Sequence, residues 1–238
     1  MSVTLTAREL GDPTRGKRQA LLWCVAAGVG SGGALKALRW IWGRLAIGVD
    51  APAGVPNAWW IVDQRATGFA IRELIVLALF AGALRLCGLR LSNLGYRNRG
   101  TWAAWLVAGV ALLLGLVSHP FVRSGPYPVT WYTLYAGLAI GIPVALLEES
   151  VFRGFAVSTL QTAGFGRAAQ ILFTGVLFGL VHISYTGMDW TVPVFTGVLG
   201  CLWSWVFIRG GNSLWPTLVA HAINDAVLMP YFYVHGVY

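Results

Sequence analysis

Residues 132–154, YTLYAGLAIGIPVALLEESVFRG, decide how this chain is read. From Tyr132 to Leu147 no side chain carries a charge, and then Glu148, Glu149 and Arg153 follow. Taking a charge out of water costs several kcal/mol or more unless it is paired, so acids and an arginine at the end of such a run need a reason to be there. Inside a membrane-spanning segment the default reason is function.

Composition places that run in a membrane. The chain has 238 residues, 57% hydrophobic and 11% charged, with a mean hydropathy of +0.66. A soluble domain carries about 25% charged residues, so this chain lacks the polar surface to stay in solution. Several of its runs approach the ~20 apolar residues that cross a bilayer as a helix. The fold class expected is all-α: a polytopic transmembrane helical bundle.

The net charge of +8 sits in the first part of the chain. Residues 1–99 hold 13 Lys/Arg against Glu9, Asp12, Asp50, Asp63 and Glu73, whereas residues 100–238 are balanced. Because the basic residues lie between and beside apolar segments, topology and anionic lipid headgroups explain them, and nucleic acid is not an expected partner. Arginine far outnumbers lysine, which points to a GC-rich genome and so to a bacterium. Cys24, Cys87 and Cys201 lie far apart with no metal-type spacing, which argues against a disulfide framework or a cysteine metal site. The first apolar stretch lacks a small-residue cleavage site, so no cleaved leader is expected.

The expected order is a cytoplasmic tail (1–19), amino-terminal membrane spans (20–129) and carboxy-terminal spans carrying the chemistry (130–238), all one integral-membrane domain. The first span covers Ala20 to about Val49. Asp50 to Ala66, with Pro52, Pro56, Trp59 and Trp60, reads as a loop with interfacial aromatics. The second span runs from about Gly68 to Gly88, with Arg72, Glu73 and Arg85 near its ends, and the third from Thr101 to Ser118. His119 to Trp131 is a turn-rich loop. The fourth span begins near Tyr132, passes Pro143, where it can kink, and continues past Arg153 towards Gln161. Gly166–Ile183, Thr191–Ile208 and Leu214–Val234 complete seven spans, or eight if the long first segment is two. Arg90, Arg97, Arg99, Arg167 and Arg209 fall on the tail's side, and only Arg65 and Arg123 on the other, which puts the amino terminus in the cytoplasm. No internal repeat or separate soluble domain is visible.

Three clusters carry chemistry. Glu149 and Arg153 are four apart with the acid first, the favoured order for a helical ion pair. That pairing leaves Glu148 on another face as the odd carboxylate, a candidate general base. The bland reading is a charge cluster snorkelling at a helix end. Phe178 and His182 share a face of the fifth span, although a lone histidine near a helix end is often only interfacial. His221, Asn224 and Asp225 stack on one side of the seventh span, where polar groups should face the bundle interior; helix–helix hydrogen bonding is the structural alternative for Asn224 in particular. His119 lies in a loop and His235 in the terminal tail, so the two histidines within spans accompany the acidic motif.

In this order, Glu148-Glu149-Ser150-Val151-Phe152-Arg153, Phe178 to His182 and His221 to Asp225 resemble the CPBP family. That family comprises the type II CAAX prenyl endopeptidases and bacterial bacteriocin-processing or self-immunity proteins, also called Abi proteins. The resemblance covers roughly residues 130–230. It implies a glutamate-type intramembrane endopeptidase. Glu148 would deprotonate the attacking water, His182 would hold and polarise it, and His221 and Asp225 would stabilise the oxyanion. Glu149 and Arg153 would fix the helix, with Phe178 and Asn224 in support. Asp225 stands where the prenyl endopeptidases have Asn.

No cofactor is required on that reading. Glu148, His182 and His221 are also the three ligands a catalytic zinc would take, but HExxH is absent and a glutamate that activates water makes a poor ligand. The partners implied are the lipid bilayer and a membrane-anchored protein or peptide substrate, in a bacterial cytoplasmic membrane. The oligomeric state is open. The competing reading is a non-proteolytic membrane protein, a proton-coupled transporter or scaffold, using the buried Glu, His and Asp as a relay. Span boundaries place His221 nearer the cytoplasmic side than His182, so only curved or shifted helices bring the two level.

Overall fold

The computed structural model describes residues 13–45, 57–118, 130–183 and 190–234, which are helical apart from short turns. The helices are α1 (Pro13–Leu45), α2 (Asn57–Leu86), α3 (Trp102–Ser118), α4 (Trp131–Glu148), α5 (Ser158–Thr162), α6 (Arg167–His182), α7 (Thr191–Arg209) and α8 (Trp215–Val234). A π-helical segment, Glu149–Val157, joins α4 to α5 without a break, and a 3-10 turn, Leu91–Asn93, lies between α2 and α3. No strand occurs among the described residues.

Among the described residues, three stretches are long and apolar enough to cross a membrane: Gly16–Ile41, Trp131–Thr162 and Thr191–Arg209. Trp102–Val117 and Arg167–His182 are apolar but shorter. The protein is an integral membrane protein built of helices. Large apolar side chains such as Leu113, Leu114, Val194, Phe195 and Val198 stay exposed on α3 and α7, as lipid-facing surfaces require.

Two boundaries differ from the sequence reading. α1 starts at Pro13, inside the expected tail, because proline is well suited to a first helical turn, where its missing N–H costs nothing. α2 starts at Asn57, so residues 57–66, read as loop, are helical. Nothing after Pro56 breaks a helix there, and the tryptophans that suggested an interfacial loop are tolerated within one. Glu73 therefore lies in the middle of α2 instead of near its end. Residues 1–12, 46–56, 119–129, 184–189 and 235–238, which include His119, His235 and most of two expected loops, lie outside the described residues.

The long α4 starts cleanly. The Thr130 hydroxyl accepts from Thr133 N at 3.2 Å, and Thr133 Oγ1 accepts from Thr130 N at 2.8 Å, a reciprocal cap that satisfies two end-of-helix donors. Pro143 lies within α4, and the helix continues through it.

The packing that positions the site uses small residues at four-residue spacing. A Cβ at Gly137 would run into the Ala226 carbonyl oxygen, and one at Gly141 would meet Ala222 O at 2.5 Å. α4 and α8 thus approach backbone to backbone along a Gly-xxx-Gly edge facing an Ala-xxx-Ala edge. Gly175 and Gly179 on α6 do the same against Gly197 and Cys201 of α7. Between lipid-compatible helices this close approach, with its dispersion contacts, replaces the hydrophobic driving force that water would supply.

Replacing Gly137 with Val overfills the α4–α8 seam, a change that costs on the order of 1–3 kcal/mol. A lowered melting temperature in detergent is expected. Gly109→Ala, where a Cβ meets nothing within 4 Å, is the matched control and should leave melting unchanged.

Candidate active site

The end of α4 sorts its charges by burial. Glu149 and Arg153 are fully buried, while the Glu148 side chain keeps a fifth of its surface exposed. Arg153 Nη1 lies 3.1 Å from Glu149 Oε1, and its guanidinium centres 4.4 Å from the Phe178 ring, a cation–π contact strengthened by the absence of water. The division expected from sequence is present: a self-neutralising Glu149–Arg153 pair, with Glu148 turned elsewhere.

The π-helical segment that carries this pair was not foreseen. Wider turns of this kind concentrate at functional sites, and here the widened turn is clamped from outside. Ser150 Oγ donates to the Leu146 carbonyl at 2.5 Å and lies 2.6 Å from the Tyr96 hydroxyl. Leu94 lies so close to Gly154 that a Cβ there would sit 2.7 Å from Leu94 Cβ. The basic segment after α2 is thus a buttress for the helix that carries the acids.

His182, at the end of α6, is held by its own helix. Its Nδ1 donates to the Phe178 carbonyl at 2.7 Å, and its ring packs on the Phe178 ring with centroids 4.7 Å apart. Nε2 is thereby directed at Glu148, 3.8 Å from Oε1. His221, buried on α8, approaches from the other side. Its Nε2 lies 3.7 Å from Glu148 Oε2 and 3.4 Å from Asp225 Oδ2. Its Nδ1 lies 2.9 Å from Glu149 Oε1. The two Glu148–imidazole gaps exceed a direct hydrogen bond and suit a bridging water or a reacting group.

All four residues expected to be catalytic, Glu148, His182, His221 and Asp225, are therefore gathered in one place. The mismatch in depth expected between His182 and His221 does not occur, because both reach the two oxygens of one carboxylate. Phe178 is the hub, touching Arg153, His182 and, edge-on at 6.4 Å, His221. Asn224 donates from Nδ2 to Asp225 Oδ1 at 3.3 Å, and its own oxygen faces Gly115 of α3. It thus supports Asp225 instead of entering the centre.

Spacing along one helix could not reveal the Glu149–His221 contact, which is made only when α8 docks on α4. Glu73 of α2 was also missed. It is buried and within electrostatic reach of Glu148 and Asp225. Among the described residues no three His, Cys, Asp or Glu side chains form a group recognisable as a metal site. A cavity beside Glu148 is walled by Gly28, Ser31, Gly32 and Leu35 of α1 and by Leu147, Phe152 and Val181.

This geometry defines a membrane-embedded carboxylate–imidazole centre on three packed helices. Residues 130–227 match the family described as "Type II CAAX prenyl endopeptidase Rce1-like", a family of membrane proteases. The match bears out the resemblance read from the motifs. It takes in every catalytic and supporting residue named from sequence and stops short of α1, α2 and α3. No curated protein and no solved structure matches the chain.

Removing Arg153 would strand the buried Glu149 carboxylate, and breaking one side of a buried pair typically costs about 3–5 kcal/mol. Arg153→Ala is expected to melt well below the wild type in detergent. Glu148→Gln, at the partly exposed acid, should melt within a few degrees of it.

Proposed function

We propose that the protein is a glutamate-type intramembrane endopeptidase that hydrolyses a peptide bond in a membrane-anchored protein or peptide. The observation that carries the reading is the convergence of the His182 and His221 Nε2 atoms on the two oxygens of Glu148, the one acid of the motif left accessible.

The chemistry follows from which atoms face the gap. His182 spends its Nδ1 proton on the Phe178 carbonyl, so in the neutral ring its Nε2 presents a lone pair. A water between Glu148 and His182 therefore has an acceptor for each hydrogen, which leaves its own lone pair free to attack a carbonyl carbon. Glu148 takes the proton as the C–O bond forms, a step general bases accelerate roughly 10²–10⁴-fold. The carbonyl oxygen becomes an oxyanion and needs donors. His221 meets that need when both its nitrogens carry protons, one held by Glu149 and the other facing the gap beside Asp225. Asp225 contributes as a donor when it carries a proton. Glu148 then returns its proton to the nitrogen, the C–N bond breaks, and the new acid's remaining proton passes to the amine, so a carboxylate and an ammonium are released.

The cavity beside Glu148, lined mostly by apolar side chains and α1 glycines, has room for about one water, and the substrate is proposed to arrive from within the bilayer. Clustering of the groups around one carboxylate supports hydrolysis over a proton relay, which would string them along a path. In keeping with a bacterial cytoplasmic membrane, the substrates proposed are peptides, bacteriocin leaders or carboxy-terminal sorting tails. The proposed topology is seven spans with the amino terminus in the cytoplasm, following the arginine-rich side of the chain.

Replacing Glu148 with Gln should reduce cleavage of a candidate membrane substrate, followed by product mass, at least 100-fold. His221→Ala should lose a similar amount, since single oxyanion donors contribute roughly 10²–10³-fold. Unchanged cleavage by the Glu148 variant would overturn the role given to that residue. Treating the detergent-purified enzyme with a strong chelator is expected to leave its rate unchanged, and metal analysis to find no stoichiometric zinc; loss of activity restored by zinc would overturn that expectation.

A further inference from the structure

Glu73 is the buried acid that the mechanism leaves unused. It is 4% exposed in the middle of α2, and its Oε2 has no hydrogen-bond partner among the described residues. Its neighbours on the helix show which way that face turns. Phe69, four residues before, packs against the apolar cluster of Ala66, Ala136, Ile140 and Val144, as Met229 of α8 does. Val76, three residues after, belongs to the buried cluster that also holds Leu147 and Phe152. Glu73, between the two, therefore lies on the face of α2 that packs along α4, within electrostatic reach of Glu148 and Asp225. Glu148, Arg72 and Asp225 are the charged groups that act on it. Arg72, the cation among them, lies over the Phe69 ring at 5.4 Å.

A buried carboxyl with an open oxygen is expensive, and among substrate groups its chemistry suits only one. As a carboxylate it would repel the oxyanion, which belongs to His221 and Asp225. It is superfluous to the water, which already has Glu148 and His182. What remains beside Glu148 is the nitrogen of the scissile bond, an N–H in the substrate and a cationic amine in the product.

We infer that Glu73 is a substrate-binding residue of the same site: its carboxyl receives the amide N–H on the leaving side of the scissile bond and then the released amine. This rests on the endopeptidase reading and adds to it a contact from the part of the chain that the family match does not cover.

The test uses the full-length protein in detergent and two probes, the tripeptide Ala-Val-Leu with a free amino terminus and its N-acetyl form, with binding measured by calorimetry. The wild type is expected to prefer the free amine about ten-fold or more, as a hydrogen bond to a charged group predicts. Glu73→Gln should reduce the preference to less than about two-fold, and Glu73→Asp should keep part of it. Glu148→Gln should retain the preference while losing cleavage. A wild type with no preference, or a folded Glu73→Gln protein that keeps it, would overturn the proposal. If Glu73→Gln does not fold, Glu73→Asp decides: a preference equal to the wild type's counts against the contact, and a partial one supports it. Cleavage by Glu148→Gln at the wild-type rate would instead overturn the glutamate-type mechanism on which the proposal rests, whatever Glu73 does.

Discussion

One carboxylate oxygen, Glu149 Oε1, holds two parts of this molecule together. It takes Arg153 from its own helix at 3.1 Å and His221 from α8 at 2.9 Å. Away from water such contacts are strong, and leaving any of the three groups alone would be costly. The pair neutralises itself within α4 and the π-helical segment, so the acid can be buried before α8 is in place. When α8 docks, the same oxygen fixes the ring of His221, which directs Nε2 towards Glu148. Burial of the second glutamate thus orients the partner of the first.

Around this point the fold works as a set of supports. Phe178 presents a ring to Arg153 and His221 and a backbone carbonyl to His182. One aromatic residue thereby couples the neutralised pair to both histidines. Tyr96 and Leu94 brace the π-helical segment at Ser150 and Gly154. The first hundred residues, which looked from sequence like membrane filling, supply that brace, one wall of the cavity beside Glu148 and the buried Glu73.

Much of the site was legible because charged groups in an apolar chain are rare enough to be informative. Glu148, Glu149, Arg153, His182, His221 and Asp225 stand out against their surroundings, and the i, i+4 rule separated Glu149 from Glu148. Helices α3, α4, α6, α7 and α8 were legible for the same reason, as apolar runs ended by Gly, Pro or Arg. What could not be read depends on contacts between helices. The Glu149–His221 contact has no local pattern. The π-helical turn replaces one hydrogen-bonding register with another in a stretch whose side chains suit either. Glu73 was missed because Pro52, Pro56 and the tryptophans made residues 57–66 look like a loop, which moved the acid to a helix end where charges are ordinary.

The Gly137/Gly141 edge against Ala222/Ala226 has a consequence for how the centre is kept in alignment. Two contact points one turn apart on each helix act as teeth, since neither sliding nor rotating α8 is possible without driving a carbonyl into a Cα. Ala222 follows His221 directly and Ala226 follows Asp225, so each tooth is the chain neighbour of a site residue. The smallest slip that restores the mesh is a full turn, about 5.4 Å, which would carry His221 away from Glu148 altogether. α4 and α8 therefore form a ruler of fixed register, and any rearrangement that admits a substrate falls to helices other than these two.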